Sequence, residues 1–373
     1  MATSRHLDDP RSVVLLVGTT KGAFLLAADD ARDRWQLAGP YFPGESIYAL
    51  ALDSRRGRRR LLAATRHSHF GAVVSISDDL GRTFSAPERA PIRFPDGGGA
   101  ELAQIWQLAL AGDDQPDVVY AGVEPAALFV SHDAGETWSL NQGLFTHPQR
   151  KEWQPGGGGL CLHTVLPLGG GRLLCAISTA GAYRSDDAGQ TWRPRNAGIR
   201  AAFLPPGHQY PEFGQCVHKV APAAAPGRLY LQHHFGVYRS DDGGDAWRDV
   251  GAGSGLPSDF GFPVVAHPRD PDTAWVLPLE ADMNRVTPGG QLRVFCTRDG
   301  GASWHALAGG LPQEHAYECV LRDGMAADRR APAGLYFGTR SGKLFASSDE
   351  GESWRALADS LPPIVCVKAA EAT

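Results

Sequence analysis

Two histidines stand at matching places in two short apolar segments, Gly159-Leu-Cys-Leu-His163 and Gly214-Gln-Cys-Val-His218. A neutral imidazole can move a proton near pH 7 and can also ligate zinc, manganese or iron. If both segments are β-strands, alternation turns Cys161 with His163, and Cys216 with His218, to a common side. Two further imidazoles follow at His233 and His234 in Leu-Gln-His-His-Phe-Gly. His163, His218, His233 and His234 are therefore the expected ligands of a divalent metal, and nothing in the chain indicates an organic cofactor. Glu124, His69, Glu280, Arg285 and Arg340 are the groups expected to act in catalysis, by proton transfer or charge stabilisation. Lys21, Arg66, His67, Trp106 and Gln107 are expected to bind the substrate. The same chemistry has a metal-free form, a glycosidase working with carboxylates alone, for which Glu124, Glu280 and Asp282 are the candidates.

What must position these groups is a repeat. The pattern Ser/Thr-x-Asp-x-Gly-x-x-Trp/Phe occurs six times, at 77–84, 131–138, 185–192, 240–247, 297–304 and 347–354. A degenerate copy, Ala28 to Trp35, keeps Asp30 and Trp35 in place and loses the glycine. The closing aromatics fall at 35, 84, 138, 192, 247, 304 and 354, an almost constant period. Within each copy the Asp carboxylate can accept backbone N–H bonds of its own turn, and the Gly supplies a left-handed position. The aromatic ring starts the next strand and buries itself against the hairpin base. These aspartates are read as structural rather than catalytic.

Between the copies the text is β throughout, each unit giving four short strands, and no stretch keeps a helical period. Repeats of this length made of four strands indicate propeller blades. The expected fold is all-β, a single seven-bladed β-propeller with Asp-box hairpins, forming one domain over 1–373. Its first blade combines about 12–42 with 363–370, because Ile364-Val-Cys-Val-Lys-Ala is a strand without a blade of its own. Placed innermost beside the N-terminal strands, it closes the ring and removes an exposed edge.

Composition narrows the partners. The net charge of −5 does not suit a general nucleic-acid binder. The one basic run, Arg55, Arg56, Arg58, Arg59 and Arg60, reads as a solvated connection, with a docking patch as the alternative. No segment is apolar enough to span a membrane, and Met1 to Asp9 lack the apolar stretch of a secretion signal. The six cysteines show no close pair and read as free thiols, so a cytoplasmic protein is expected.

In a propeller the Asp boxes join third to fourth strands at one face. Longer connections at 85–102, 141–159, 193–215 and 251–262 fall at the other, where a rigid scaffold usually carries its binding residues. Aligning blades there places Gln107 and Pro263 in the column of His163 and His218, and Glu124 in that of Ser178 and His233.

The Asp boxes resemble the bacterial neuraminidase repeat of the sialidase superfamily, and those of sortilin-like receptors, photosystem II assembly factors and xyloglucan-active glycosidases. The whole chain, from GTTKGAF to FGTRSGK, looks like bacterial proteins labelled sialidase-like or glycosyl hydrolase. The resemblance implies a fold more than a reaction. Sialidases carry Arg-Ile-Pro near the first blade; here only Arg93-Phe94-Pro95 occurs, in a later connection, and no Tyr–Glu pair aligns with Arg66, Arg285 and Arg340. The expectation is a hydrolase or lyase acting on a small polar, carbohydrate-like substrate, with metal assistance. The alternatives are a non-catalytic ligand- or protein-binding scaffold and the carboxylate glycosidase.

Overall fold

The computed structural model describes residues 13–67, 69–85, 92–96 and 100–371. The polar N-terminal stretch and parts of the 85–102 connection lie outside the described residues. The chain folds as a seven-bladed β-propeller with almost no helix; six blades have four strands and the second, among the described residues, has three. In the first blade Ile364–Glu371 stands innermost, followed by Val13–Thr19, Gly22–Ala28 and Trp35–Tyr41, as the unpaired terminal strand predicts.

Two compact units can be distinguished, 1–194 with 370–373, and 195–369. The first contains blades two to four and the three N-terminal strands of blade one. Its core between blades two and three is aliphatic and aromatic, with Leu62, Ile105, Val119, Val123 and Phe129 buried. The arginine run is absorbed here. Arg55 donates from Nη1 to the carbonyls of Ala111 (2.9 Å) and Val118 (3.0 Å) while its Nε meets Asp53 at 2.8 Å. Arg58 reaches the Pro116 carbonyl at 2.6 Å, and Arg60 pairs with Asp78 (2.7 Å) and Glu136 (3.1 Å). Three side chains of the run thus tie blade two to blade three or to its own box and are largely withdrawn from solvent, a structural splice where a solvated connection was expected. The second unit contains blades five to seven, with Trp275, Leu277, Leu335 and Phe337 filling the space between blades six and seven.

The box geometry repeats almost to the tenth of an ångström. Asp133 accepts from Ser131 Oγ at 2.7 Å, from the Thr137 amide at 2.8 Å and from Thr137 Oγ1 at 2.6 Å. The amide of Gly135 donates to Ser131 Oγ at 2.8 Å. Asp79, Asp187, Asp299 and Asp349 do the same in their own boxes. The bonds from Thr83, Thr191 and Ser303 hold the carboxyls of Asp79, Asp187 and Asp299 down to about 2. The degenerate box is a correction by one residue. Asp29, not Asp30, accepts from the Asp33 amide at 3.0 Å, and Arg32 takes the left-handed conformation (φ 60°) where a glycine stands elsewhere. Trp35 still donates from Nε1 to the Arg32 carbonyl at 3.0 Å, as Trp138 does to Gly135.

At the opposite end of the blades, the innermost strands of blades three to six each carry one extra residue. Pairing slips between Ile105 and Gln107, between Leu162 and Thr164, between Val217 and Lys219, and between Gly261 and Val264. A β-bulge of this kind kinks the strand and re-aims the inserted side chain. The inserted residues are Trp106, His163 and His218, with Phe262 and Pro263 sharing the place in blade six. The expected column therefore shifts: Trp106, not Gln107, is the counterpart of the two histidines. Strand pairing likewise makes His234, not His233, the counterpart of Glu124 and Ser178. The amide of Ser178 donates to Cys161 O (2.9 Å) and that of His234 to Cys216 O (3.0 Å), which fixes the equivalence.

Candidate functional site

In the first unit the bulge at Trp106 brings its indole N–H to Glu124 Oε2 at 2.9 Å. Glu124 ends the strand that pairs with Gln104, so carboxylate and indole share one blade. Gly159 takes φ +86° beside them, and a Cβ on it would lie 2.0 Å from Glu124 Oε1. That glycine therefore leaves the space the carboxylate occupies. Tyr48 meets the Trp106 ring edge-on with centroids 4.9 Å apart. Ser46, Tyr48, Arg66, Gln104, Trp106 and Glu124 line a pocket of about 340 Å³. Its chemistry is an aromatic corner, one acid, one guanidinium and neutral hydrogen-bonding groups, which suits a polar ligand with apolar faces.

Of the residues expected from sequence in this unit, the pocket brings together Arg66, Trp106 and Glu124, while Lys21, His67, His69 and Gln107 are not among its lining. Lys21 is exposed, and its amide donates to Thr19 Oγ1 at 3.1 Å. His67 accepts the amides of His69 (3.1 Å) and Phe70 (3.3 Å) on Nδ1, which shapes the turn; the His69 ring is exposed beside Phe70. Gln107 accepts the Val165 amide at 3.0 Å and so splices blade three to blade four. His163 is buried, with Nδ1 3.0 Å from Thr164 Oγ1.

In the second unit the bulge at His218 turns its ring under Phe260 and Phe262, at centroid distances of 5.5 and 4.7 Å. Nδ1 lies 2.6 Å from the Gly261 carbonyl. A carbonyl only accepts, so Nδ1 carries the proton and Nε2 presents its lone pair. That lone pair lies 3.6 Å from Cys216 Sγ. The His234 ring is 5.3 Å from His218, and its Nε2 is 3.4 Å from Asp282 Oδ2. Burial, with help from Arg322, holds the His218 imidazole well below its ordinary value. Burial also lowers His234 although Asp282 opposes it, so both rings are neutral at pH 7. Arg285 and Arg322 each stand over the Phe262 ring, at 5.4 and 5.7 Å.

The four expected metal ligands therefore separate. His218 and His234 meet, and the third member is Cys216, with donor atoms all within 4.8 Å of one another. Among the described residues neither His163 nor His233 belongs to such a group. His233 is fully buried, accepts the Phe235 amide on Nδ1 at 3.1 Å, and is pushed by burial down to about 3. Cys216 was recognisable two residues before His218, just ahead of the strand Val217–Pro222. Tyr48 carried no signal of its own, because it becomes a pocket wall only when blades two and three pack. Arg285 bonds to the Asp282 carbonyl at 3.0 Å, while Glu280 and Arg340 are exposed. Deeper in this unit Asp323 is held between Lys219 Nζ (2.7 Å) and Lys368 Nζ (2.6 Å). The two ammonium groups drive its carboxyl far below the usual range despite burial.

Comparison with known proteins supports a propeller of the BNR type. The family described as BNR/Asp-box repeat matches residues 129–140, the second full box. No curated protein sequence matches the chain. Among solved structures, YCF48 bound to D1 peptide is 15% identical with a TM-score of 0.54, over 84% of this chain and 83% of that one. An ancestral GH74 enzyme is 14% identical with a TM-score of 0.58, over 84% of this chain but only 38% of that longer one. YCF48 from Cyanidioschyzon merolae is 14% identical with a TM-score of 0.51, over 85% and 87%. At these identities the likeness is one of fold. No helix among the described residues is long and apolar enough to cross a membrane.

Proposed function

We propose that this chain is a hydrolase or lyase acting on a small polar, carbohydrate-like substrate held in the pocket of Tyr48, Arg66, Gln104, Trp106 and Glu124. The observation that carries the reading is Glu124: one carboxylate oxygen is fixed by the Trp106 indole, and Gly159 leaves room for the other. A carboxylate fixed beside aromatic walls is the arrangement that sugar-ring recognition and proton transfer both use. Tyr48 and Trp106 offer apolar surface to a ring, and Arg66, Ser46 and Gln104 offer partners to hydroxyl or carboxylate groups. The likeness to an ancestral GH74 enzyme supports a carbohydrate substrate.

The test is Glu124→Gln, which keeps size and the ability to accept from Trp106. With a panel of oligosaccharides and uronates, wild type should bind and turn over at least one. The variant should bind it within a few-fold and lose turnover by about 10²-fold or more. Equal turnover by both proteins would remove Glu124 from the reaction.

A second reading is a peptide-binding scaffold, favoured by the likeness to YCF48 bound to D1 peptide. On that reading Glu124→Gln changes only affinity, and Trp106→Ala weakens capture of an extended peptide with no turnover at any stage.

A further inference from the structure

We infer that Cys216, His218 and His234 form a mononuclear zinc-type site with an open fourth position. The inference does not rest on the pocket around Glu124. Zinc bonds thiolate sulfur at about 2.3 Å and imidazole nitrogen at about 2.0–2.1 Å, so two such ligands at a tetrahedral angle stand about 3.5–3.6 Å apart. Cys216 Sγ and His218 Nε2 are 3.6 Å apart. The third donor, from His234, lies within 4.8 Å of both, so its partly exposed ring must move inward to complete the set.

The surroundings are those of a metal-binding histidine. Proteins orient such a ring by tying its other nitrogen to a carbonyl or carboxylate, which sets the tautomer before the metal arrives. The Gly261 carbonyl does this for His218, and Phe260 and Phe262 prevent its ring from turning away. Asp282 stands at His234, where it can orient the ring. One thiolate and two imidazoles are a borderline-soft set, which favours zinc over manganese and narrows the expected metals. The set is three-coordinate, as catalytic zinc sites are, rather than closed like structural ones. Arg285 and Arg322 over Phe262 place positive charge nearby, so the open position suits an anionic oxygen such as a substrate carboxylate.

A thiol hydrogen-bonded to a bare imidazole nitrogen would give the same 3.6 Å, and spectroscopy separates the two. The full chain, stripped with chelator, is titrated with cobalt(II) and then zinc(II), with no substrate present. The site predicts uptake of one equivalent of cobalt with tetrahedral ligand-field bands and a thiolate-to-cobalt charge-transfer band, all bleached by zinc. Cys216→Ser should abolish the charge-transfer band, and His234→Ala should weaken binding at least about ten-fold. Cys319→Ser should keep the band, and Glu124→Gln should bind cobalt as wild type does. Each variant is first checked for a wild-type melting curve in the absence of metal. No saturable uptake by wild type, or an unchanged charge-transfer band in Cys216→Ser, overturns the inference. Either result leaves the reading of Glu124 standing, since that is measured by turnover.

Discussion

Replacing Gly159 by alanine places a single methyl group against Glu124. The new Cβ would lie 2.0 Å from Oε1 and 2.8 Å from Cδ of Glu124, where ordinary contact begins at about 3.4 Å. The carboxylate must therefore retreat by more than about 1 Å. Its bond from Trp106 is 2.9 Å, so a displacement of that size disrupts it. A hydrogen bond to a charged group contributes about 1.5–3 kcal/mol, and a non-glycine residue at φ +86° costs about 1–2 kcal/mol. The sum is about 2.5–5 kcal/mol, less whatever a solvated carboxylate regains from water. A carboxylate displaced by about 1 Å should also lose about 10²-fold in turnover or affinity. The assay is paired: a thermal melt, and turnover or binding of the ligand found in the Glu124→Gln experiment. Gly157→Ala, two residues away with nothing within 4 Å of its Cβ, is the control and should behave as wild type. If Gly159→Ala melts several degrees lower yet works normally, Glu124 is not at the reacting position. If neither quantity changes, the close approach itself is wrong.

Three further outcomes are expected. Asp133→Ala removes acceptors from Ser131 and Thr137 and should cost about 1–2 kcal/mol by thermal or urea unfolding while ligand binding persists, the mark of a structural aspartate. A loss of binding with unchanged stability would reverse that assignment. The Asp79, Asp187 and Asp299 carboxyls lie at about 2 when folded, below their ordinary 3.8. Their contribution to stability is therefore whole above pH 4 and lost as pH falls through about 2, so the triple Asp→Asn variant should flatten the acid limb of a melting-temperature profile. Asp323→Asn leaves Lys219 and Lys368 as adjacent, partly buried cations and should destabilise by about 3–5 kcal/mol at pH 6. The loss should shrink at pH 9, because burial already holds Lys219 down to about 8 and it can shed its proton; an equal loss at both pH values would refute the account.

The fold was legible because each Asp box is a self-contained turn. Ser131, Asp133, Gly135 and Thr137 satisfy one another within seven residues, so residue types at fixed spacing were enough to recognise the hairpin and count the blades. The terminal strand was legible for a similar reason: an apolar stretch with no blade of its own needs a partner. The degenerate box misled by one residue, since Asp29 and Asp30 are adjacent and only the backbone shows which carboxylate meets the Asp33 amide.

For the site, the sequence by itself determined which residues are chemically capable and which end of each blade carries them. His218, His234, Glu124, Trp106 and Arg66 were all named from type and placement. It also determined that the many box aspartates are structural. Only the tertiary structure decided how those residues group. Strand alternation is a period-two rule, and one inserted residue at Trp106, His163 and His218 breaks it, moving Gln107 to a splice between blades and His233 into the core. A bulge is set by how a strand packs against its neighbours, and no local residue pattern announces it. Tyr48 enters its site for the same reason: its neighbours come from elsewhere along the chain, and a contact made by packing has no signature in local order.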